Sequence, residues 1–500
     1  MRFSILFLLA VFCGCQYYGD KFPKNTTSTT DYSVQAKWGR GVLGGTSDSY
    51  FRGLATDNAG NVYGVGRQYG NGTYTYGASI TATGSTAAEN VSIVKYDNAG
   101  VAQWARSNTS GTGAAQFYAV ATDSSANVYA AGLQSGNGMY TYGVGVNATG
   151  TASSNSLNNV LLVKYDSAGT ALWVRTNVSG DLSPLFYGVA INSGGNIYAV
   201  GQQNPGTVDY GAGVTAVAGA TGSNTLIVKY NAAGTALWAR ATVSGTSTGA
   251  RFTAVAVDSS GNIYAVGNQA GTGSNTYGTG ITAAGSSSGA GGGNLLVVKY
   301  DSSGNALWAR TATSGIDTSD LLGVTTDSAG DIYAVGTYNG TSNFNLGSGV
   351  SQSCPGSTQN GIVIKYNSSG SALWARCATS GTNNGYFRSA TALTSGDIIV
   401  AGEQGGTGTT TYASSVSTNG ANSGSNSVII RYGADGTARY ARSITVGPGA
   451  SRFDSIVSDS AGSVFTGGYQ TGTGTYDYGD GITVAGSSSV TNAVMLKYSK

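Results

Sequence analysis

The chain has 500 residues, among them 80 glycines, 5 prolines and no histidine, with 25 basic side chains against 23 acidic ones. A net charge of +2 leaves no electrostatic case for nucleic acid or an anionic membrane surface. The missing histidine removes Ser-His-Asp and Cys-His catalysis and most zinc chemistry, while 40% apolar residues and 32 tyrosines supply a core that a disordered glycine-rich chain would lack.

The first residues, MRFSILFLLAVFCGCQ, read as an export signal: one arginine, then an apolar run too short to span a bilayer. The run ends in Phe12-Cys13-Gly14-Cys15, which resembles the lipobox of bacterial lipoproteins, although Phe12 departs from the usual Leu or Val. The resemblance implies a signal peptide over 1–14 and lipidation of Cys15, with a plain signal peptide cut elsewhere as the alternative. Residues 15–33, with NTTSTT at their centre, read as a flexible polar tether. The expected location is the cell envelope, at the outer membrane or cell surface, with membrane contact through the N-terminal lipid only.

From residue 34 onward the sequence is periodic. Aligned on one strand-like run, Trp38, Trp104, Trp173, Trp238, Trp308, Trp374 and Tyr440 follow one another at intervals of 66, 69, 65, 70, 66 and 66. Each of the seven copies carries four β-like runs, here named A to D. In the copy near Arg251 these are FTAVAVD, IYAVG, NLLVVKYD and ALWAR, separated by turns such as SSGN and by a long B–C excursion. No stretch sustains a 3.6-residue period, so almost no helix is predicted. The body begins with an orphan D run, VQAKWGR, and ends with A, B and C only, the last being AVMLKY. Joining that last C to the first D completes a seventh sheet and leaves no open edge. The predicted fold is therefore all-β: a seven-bladed β-propeller with four main strands per blade, closed by pairing of the N-terminal D with the C-terminal C.

The combination AVDSSGNIYAVG (256–267) and VKYDSSGNALW (298–308), present in nearly every copy, resembles the bacterial SBBP family of seven-bladed β-propeller repeats. The resemblance covers about residues 34–500. It implies the fold and hardly any activity, since propellers host enzymes, scaffolds and adhesins alike.

Phe51, Phe117, Phe186, Phe252, Leu321, Phe387 and Phe453 share one position and are expected to fill the wedges between neighbouring sheets. The tryptophans are expected to cap outer-strand packing, with the arginines two places on, from Arg40 to Arg442, as solvated partners. Asp57, Asp123, Asp258, Asp327 and Asp459 at the A–B turn fit Asx-type bonds better than calcium, which wants six to eight oxygens. The residue after the packing Phe varies most: Arg52, Tyr118, Tyr187, Thr253, Leu322, Arg388 and Asp454. These begin strand A near the central channel, on the face that the B–C excursions are expected to build up, and form the candidate binding face. Cys354 and Cys377 flank one C–D hairpin and are predicted to form a disulfide, with two free thiols as the alternative. Pairing Tyr366 with Ser371 sets Cys377 opposite Asn360. The expected function is a binding module for a protein or glycan partner, acting as a monomer, with no cofactor, no metal and no catalysis. The alternatives are a surface-coat protein without a specific ligand and a histidine-free lyase or hydrolase.

Overall fold

Runs of Val, Ile and Tyr broken by Asp, Asn and Gly give strands throughout, and every regular element among the described residues is β. The computed structural model describes residues 31–246, 249–287, 293–315, 317–355, 359–381 and 385–499. The body is the unit Ser33–Lys500; the expected signal peptide, Cys15 and all but the end of the tether lie outside the described residues.

In the first complete copy, strands A (Ser49–Thr56), B (Val62–Tyr69), C (Glu89–Tyr96) and D (Ala102–Arg106) pair antiparallel in that order. Five further four-stranded sheets repeat the pattern, with A strands at Ala115–Thr122, Leu185–Ile191, Ala250–Val257, Thr318–Thr326 and Gly385–Ala392. The last sheet takes Ser451–Ser458, Val464–Thr471 and Thr491–Ser499 from one end of the chain and Gln35–Gly41 from the other. In it Trp38 pairs with Lys497 and Gly41 with Val494. Each A strand lies against the A strand of the following sheet, and Ser451–Ser458 lies against Ser49–Thr56. There the Leu54 amide donates to Ser455 Oγ at 3.0 Å.

Each A strand carries a β-bulge at the same place. Phe51 pairs with Gly66 and Gly53 with Val65, leaving Arg52 outside the ladder, and the other six copies skip the residue after their Phe or Leu in the same way. The bulge explains the glycine that ends each IYAVG-like run. A Cβ on Gly66 would sit 1.9 Å from the Tyr50 carbonyl oxygen, so no larger residue fits opposite the bulge. The packing aromatics are all buried, and Phe51 packs with Val62, Tyr76 and, from the preceding sheet, Met495.

The B–C excursions are hairpins, such as Thr73–Gly77 with Ile80–Thr83, but they do not crown the face where strand A begins. Each packs on strand D of its own sheet, with Gly77 against Ala102 and Gly143 against Ala171. On the other side it bridges the connector leaving the preceding sheet, as Thr75 does with Gly44. Sheets that radiate from a centre splay apart outward, and the hairpins fill that gap, burying tyrosines such as Tyr74 and Tyr76. The expected built-up face is thus corrected: the excursions are wedges between outer strands, because their apolar side chains find cover there and not over the centre.

Candidate functional site

The seven bulges converge. Arg52, Tyr118, Tyr187, Thr253, Leu322, Arg388 and Asp454 all line one central cavity of about 140 Å³, each contributed by a different A strand. A bulged residue has no cross-strand partner, and the extra backbone re-aims its side chain out of the sheet. Below them the wall is made by Leu54, Val120, Val189, Val255 and Val324. The structure therefore brings all seven candidate residues together.

It also divides them by what already holds them. Arg388 is ion-paired with Glu403 at 2.6 Å, and its Nε lies 3.7 Å from Asp454. Asp454 in turn pairs with Arg452 at 2.9 Å. The Thr253 hydroxyl donates to the carbonyls of Val266 and Leu321. Two further pairs stand just behind the bulges, Arg67 with Glu89 and Arg251 with Asp320, the latter at 2.7 Å. Four of these five arginines thus have a carboxylate. Arg52 has none among the described residues: its guanidinium lies 5.6 Å from the ring centres of Tyr50 and Tyr118.

Tyr118 and Tyr187 meet edge to face with ring centres 5.3 Å apart. Burial pushes both phenols above their usual range, while Arg52 pulls Tyr118 and Arg251 pulls Tyr187 the other way. Both are therefore hydrogen-bond donors at neutral pH. Burial also raises the Asp320 carboxyl, against the pull of Arg251.

Sequence reasoning missed the residues behind the bulges, although a signal was present. The position just before each packing aromatic holds Tyr50, Gln116, Leu185, Arg251, Asp320, Tyr386 and Arg452, as varied as the candidates themselves.

The repeated polar residues serve the frame. Asp57 accepts from the Ala59 and Asn61 amides, Asn61 Nδ2 and the Tyr63 hydroxyl at 2.8–3.0 Å, which fills its oxygens locally. The arginines after the tryptophans are not solvated partners. Arg40 Nε donates to the Gly100 carbonyl at 2.6 Å and Arg310 Nε to Gly370 at 2.9 Å, each in the C–D turn of the next sheet. The tryptophan beside each one does the same: Trp38 Nε1 donates to Asn98 at 3.0 Å. Trp and Arg together clasp the neighbouring turn because its carbonyls project outward. Among these arginines Arg442 donates to no such turn, since the sheet it faces takes strand C from Thr491–Ser499 and strand D from Gln35–Gly41 with no C–D turn between them, and it pairs with Asp480 instead. Asp480 also accepts the Ala36 amide at 2.7 Å, and Tyr440, in the tryptophan position, donates to Val34 at 3.2 Å.

Cys354 and Cys377 are joined, with Cα atoms 5.9 Å apart. Their register differs from expectation. A bulge between Lys365 and Tyr366 pairs Tyr366 with Ala372 and Val363 with Arg376, which sets Cys377 level with Ile362 and not Asn360. In the other copies a hairpin tyrosine bonds a buried glutamine, as Tyr76 does with Gln68 at 3.2 Å, whereas this copy has Leu346 and Tyr338 there. The disulfide secures the hairpin that lacks that bond.

No protein-family model matches the chain, and no curated protein matches it. Among solved structures it is similar to U3-55K, at 10% identity over 92% of this chain and 99% of that one with a TM-score of 0.47. It is also similar to virginiamycin B lyase from Staphylococcus aureus, at 10% identity over 93% and 98% with a TM-score of 0.43. A third is the periplasmic gluconolactonase of Pseudomonas aeruginosa, at 10% identity over 83% and 98% with a TM-score of 0.41. The functional reading accordingly rests on the side chains at the central cavity.

Proposed function

We propose that the body is a closed seven-bladed β-propeller acting as a binding module, with its ligand, a glycan or a protein partner, seated over the central cavity. Closure is supported by the pairing of Gln35–Gly41 with Thr491–Ser499 and by the contact of the last A strand with the first. The observation that carries the binding reading is the set of seven bulges, which aim seven side chains of five kinds into one cavity while the packing residue before each and the glycine opposite it repeat. Binding is favoured over catalysis because the carboxylates Glu89, Asp320, Glu403 and Asp454 are each held by an arginine. That suits a rigid recognition surface better than general acid–base work. The N-terminal sequence supports export and lipid attachment at Cys15, and the repeat supports membership of the SBBP group.

The test is a binding screen of neutral and acidic glycans and of envelope and matrix proteins, run with the wild type and with a Tyr118→Ala/Tyr187→Ala double variant. Loss of a hit in the variant, at unchanged melting temperature, supports the cavity as the site. Hits that bind both proteins equally overturn it.

A further inference from the structure

We infer that the central cavity takes a sugar acid, a single polyhydroxylated ring bearing one carboxylate, with the carboxylate on Arg52 and the ring against Tyr118 and Tyr187. This rests on the binding reading above and names the ligand class. Arg67, Arg251, Arg388 and Arg452 are matched one to one by Glu89, Asp320, Glu403 and Asp454, so the site holds one cation with no counter-charge among the described residues. That cation is Arg52, which lines the cavity with no ion-pair partner among the described residues. The planar guanidinium, 5.6 Å from the centres of the Tyr50 and Tyr118 rings, is the group that can meet a carboxylate with two parallel N–H donors. One unmatched charge suits a monoanion.

Size and lining then narrow the choice. The cavity of about 140 Å³ equals roughly five waters at about 30 Å³ each, so it admits the carboxylate and one edge of a sugar ring while the rest of the ring stays at its open mouth. Beside Arg52 stand two phenols kept protonated by burial, with ring planes 67° apart. They offer an apolar face together with hydroxyls that can donate to and accept from a polyol.

The experiment is calorimetric titration of the full chain with sodium glucuronate, glucose and sodium acetate. Glucuronate is expected to bind one to one. Glucose and acetate are each expected to bind about ten-fold or more weaker, and Arg52→Gln to weaken glucuronate about ten-fold or more at unchanged Tm, with Arg52→Lys falling between. Glucose binding as well as glucuronate, acetate binding as well as glucuronate, unchanged affinity in Arg52→Gln, or no heat from glucuronate at millimolar concentration would each overturn the inference. A neutral ligand lost only in the Tyr118/Tyr187 double variant would keep the binding site and overturn the sugar acid.

Discussion

Replacing Arg388 and Arg52 separately by methionine distinguishes an arginine that holds the frame from one that awaits a ligand. Arg388 is 20% exposed, and its carboxylate partners Glu403 and Asp454 are each 6% exposed. Removing the cation leaves Glu403 without its ion-pair partner and sets two buried carboxylates facing one another. Breaking a buried pair costs about 3–5 kcal/mol, and the lower end applies because Asp454 keeps Arg452. Arg52 has only its two ring contacts to lose, at about 0.5–1 kcal/mol each. Its removal also relieves a buried Nε–H that lacks an acceptor, which offsets about as much. Unfolding entropy of about 2.1 cal/mol/K per residue over roughly 470 residues makes 1 kcal/mol worth about 1 °C. Arg388→Met should therefore lower Tm by about 3 °C and Arg52→Met should leave it within about 1 °C, read by tryptophan fluorescence and calorimetry. Adding Glu403→Leu to Arg388→Met should recover most of the loss. Equal drops for the two single variants would refute the division of the mouth into frame and site.

Reducing the Cys354–Cys377 disulfide, or replacing both by serine, should cost about 3 kcal/mol, with faster hydrogen exchange confined to the hairpin of Phe344–Asn345 and Ser351–Gln352; uniform exchange would contradict its local role. Gly304 and Gly462 share a left-handed φ of 82° and 81°, so alanine costs about 1–2 kcal/mol at either. A Cβ on Gly304 also meets Trp238 at 2.8 Å, while Gly462 has open space, so Gly304→Ala should be worse by about 1–3 kcal/mol in urea unfolding. Burial raises the Asp57, Asp123 and Asp258 carboxyls, but bonds from the asparagine and tyrosine of each turn outweigh it and hold them below the usual range. Their contribution is present above about pH 4 and disappears as pH falls through the lowered values, so urea midpoints should drop on acidification and Asp258→Asn should flatten that limb.

The frame was legible because its signals repeat. Seven aromatics at one spacing, an Asp-x-x-Gly turn and a D run stranded at the N-terminus define strands, turns and the pairing of Gln35–Gly41 with Thr491–Ser499. The seven cavity residues were legible for the opposite reason, as variation inside a constant frame. The acceptors of Arg40 and its equivalents were not, because they are backbone carbonyls, which leave no letter in the sequence. The role of Asn90 and its six counterparts was passed over, although one stands six places before the last tyrosine of every C strand. Asn90 accepts the Ser85 and Thr86 amides and donates to Gly70, Thr86 and Ala88, tying down the return from the hairpin. The direction of the hairpins was hidden because Tyr-Gly and Val-Thr alternation specifies a strand pair without saying which surface it covers. That Arg52 stands apart emerges only once the other four arginines are seen with their partners.

Departures from the repeat thus fall into two physical kinds. At Tyr440, Arg442 and Asp480 the change is forced: the sheet they face pairs Thr491–Ser499 with Gln35–Gly41 and so has no C–D turn to clasp, and an acid on the hairpin replaces the turn carbonyls. At Arg52 and its six equivalents the change is permitted. Outside the ladder, a bulged side chain can be charged, aromatic or aliphatic without breaking strand pairing, although Arg388 and Thr253 have taken on contacts of their own. The glycine opposite each bulge keeps that freedom available in all seven copies, since a Cβ there would collide with the strand that bulges. A fold built this way can alter the lining of its central cavity one residue per sheet, and the pairing of the strands does not have to change with it.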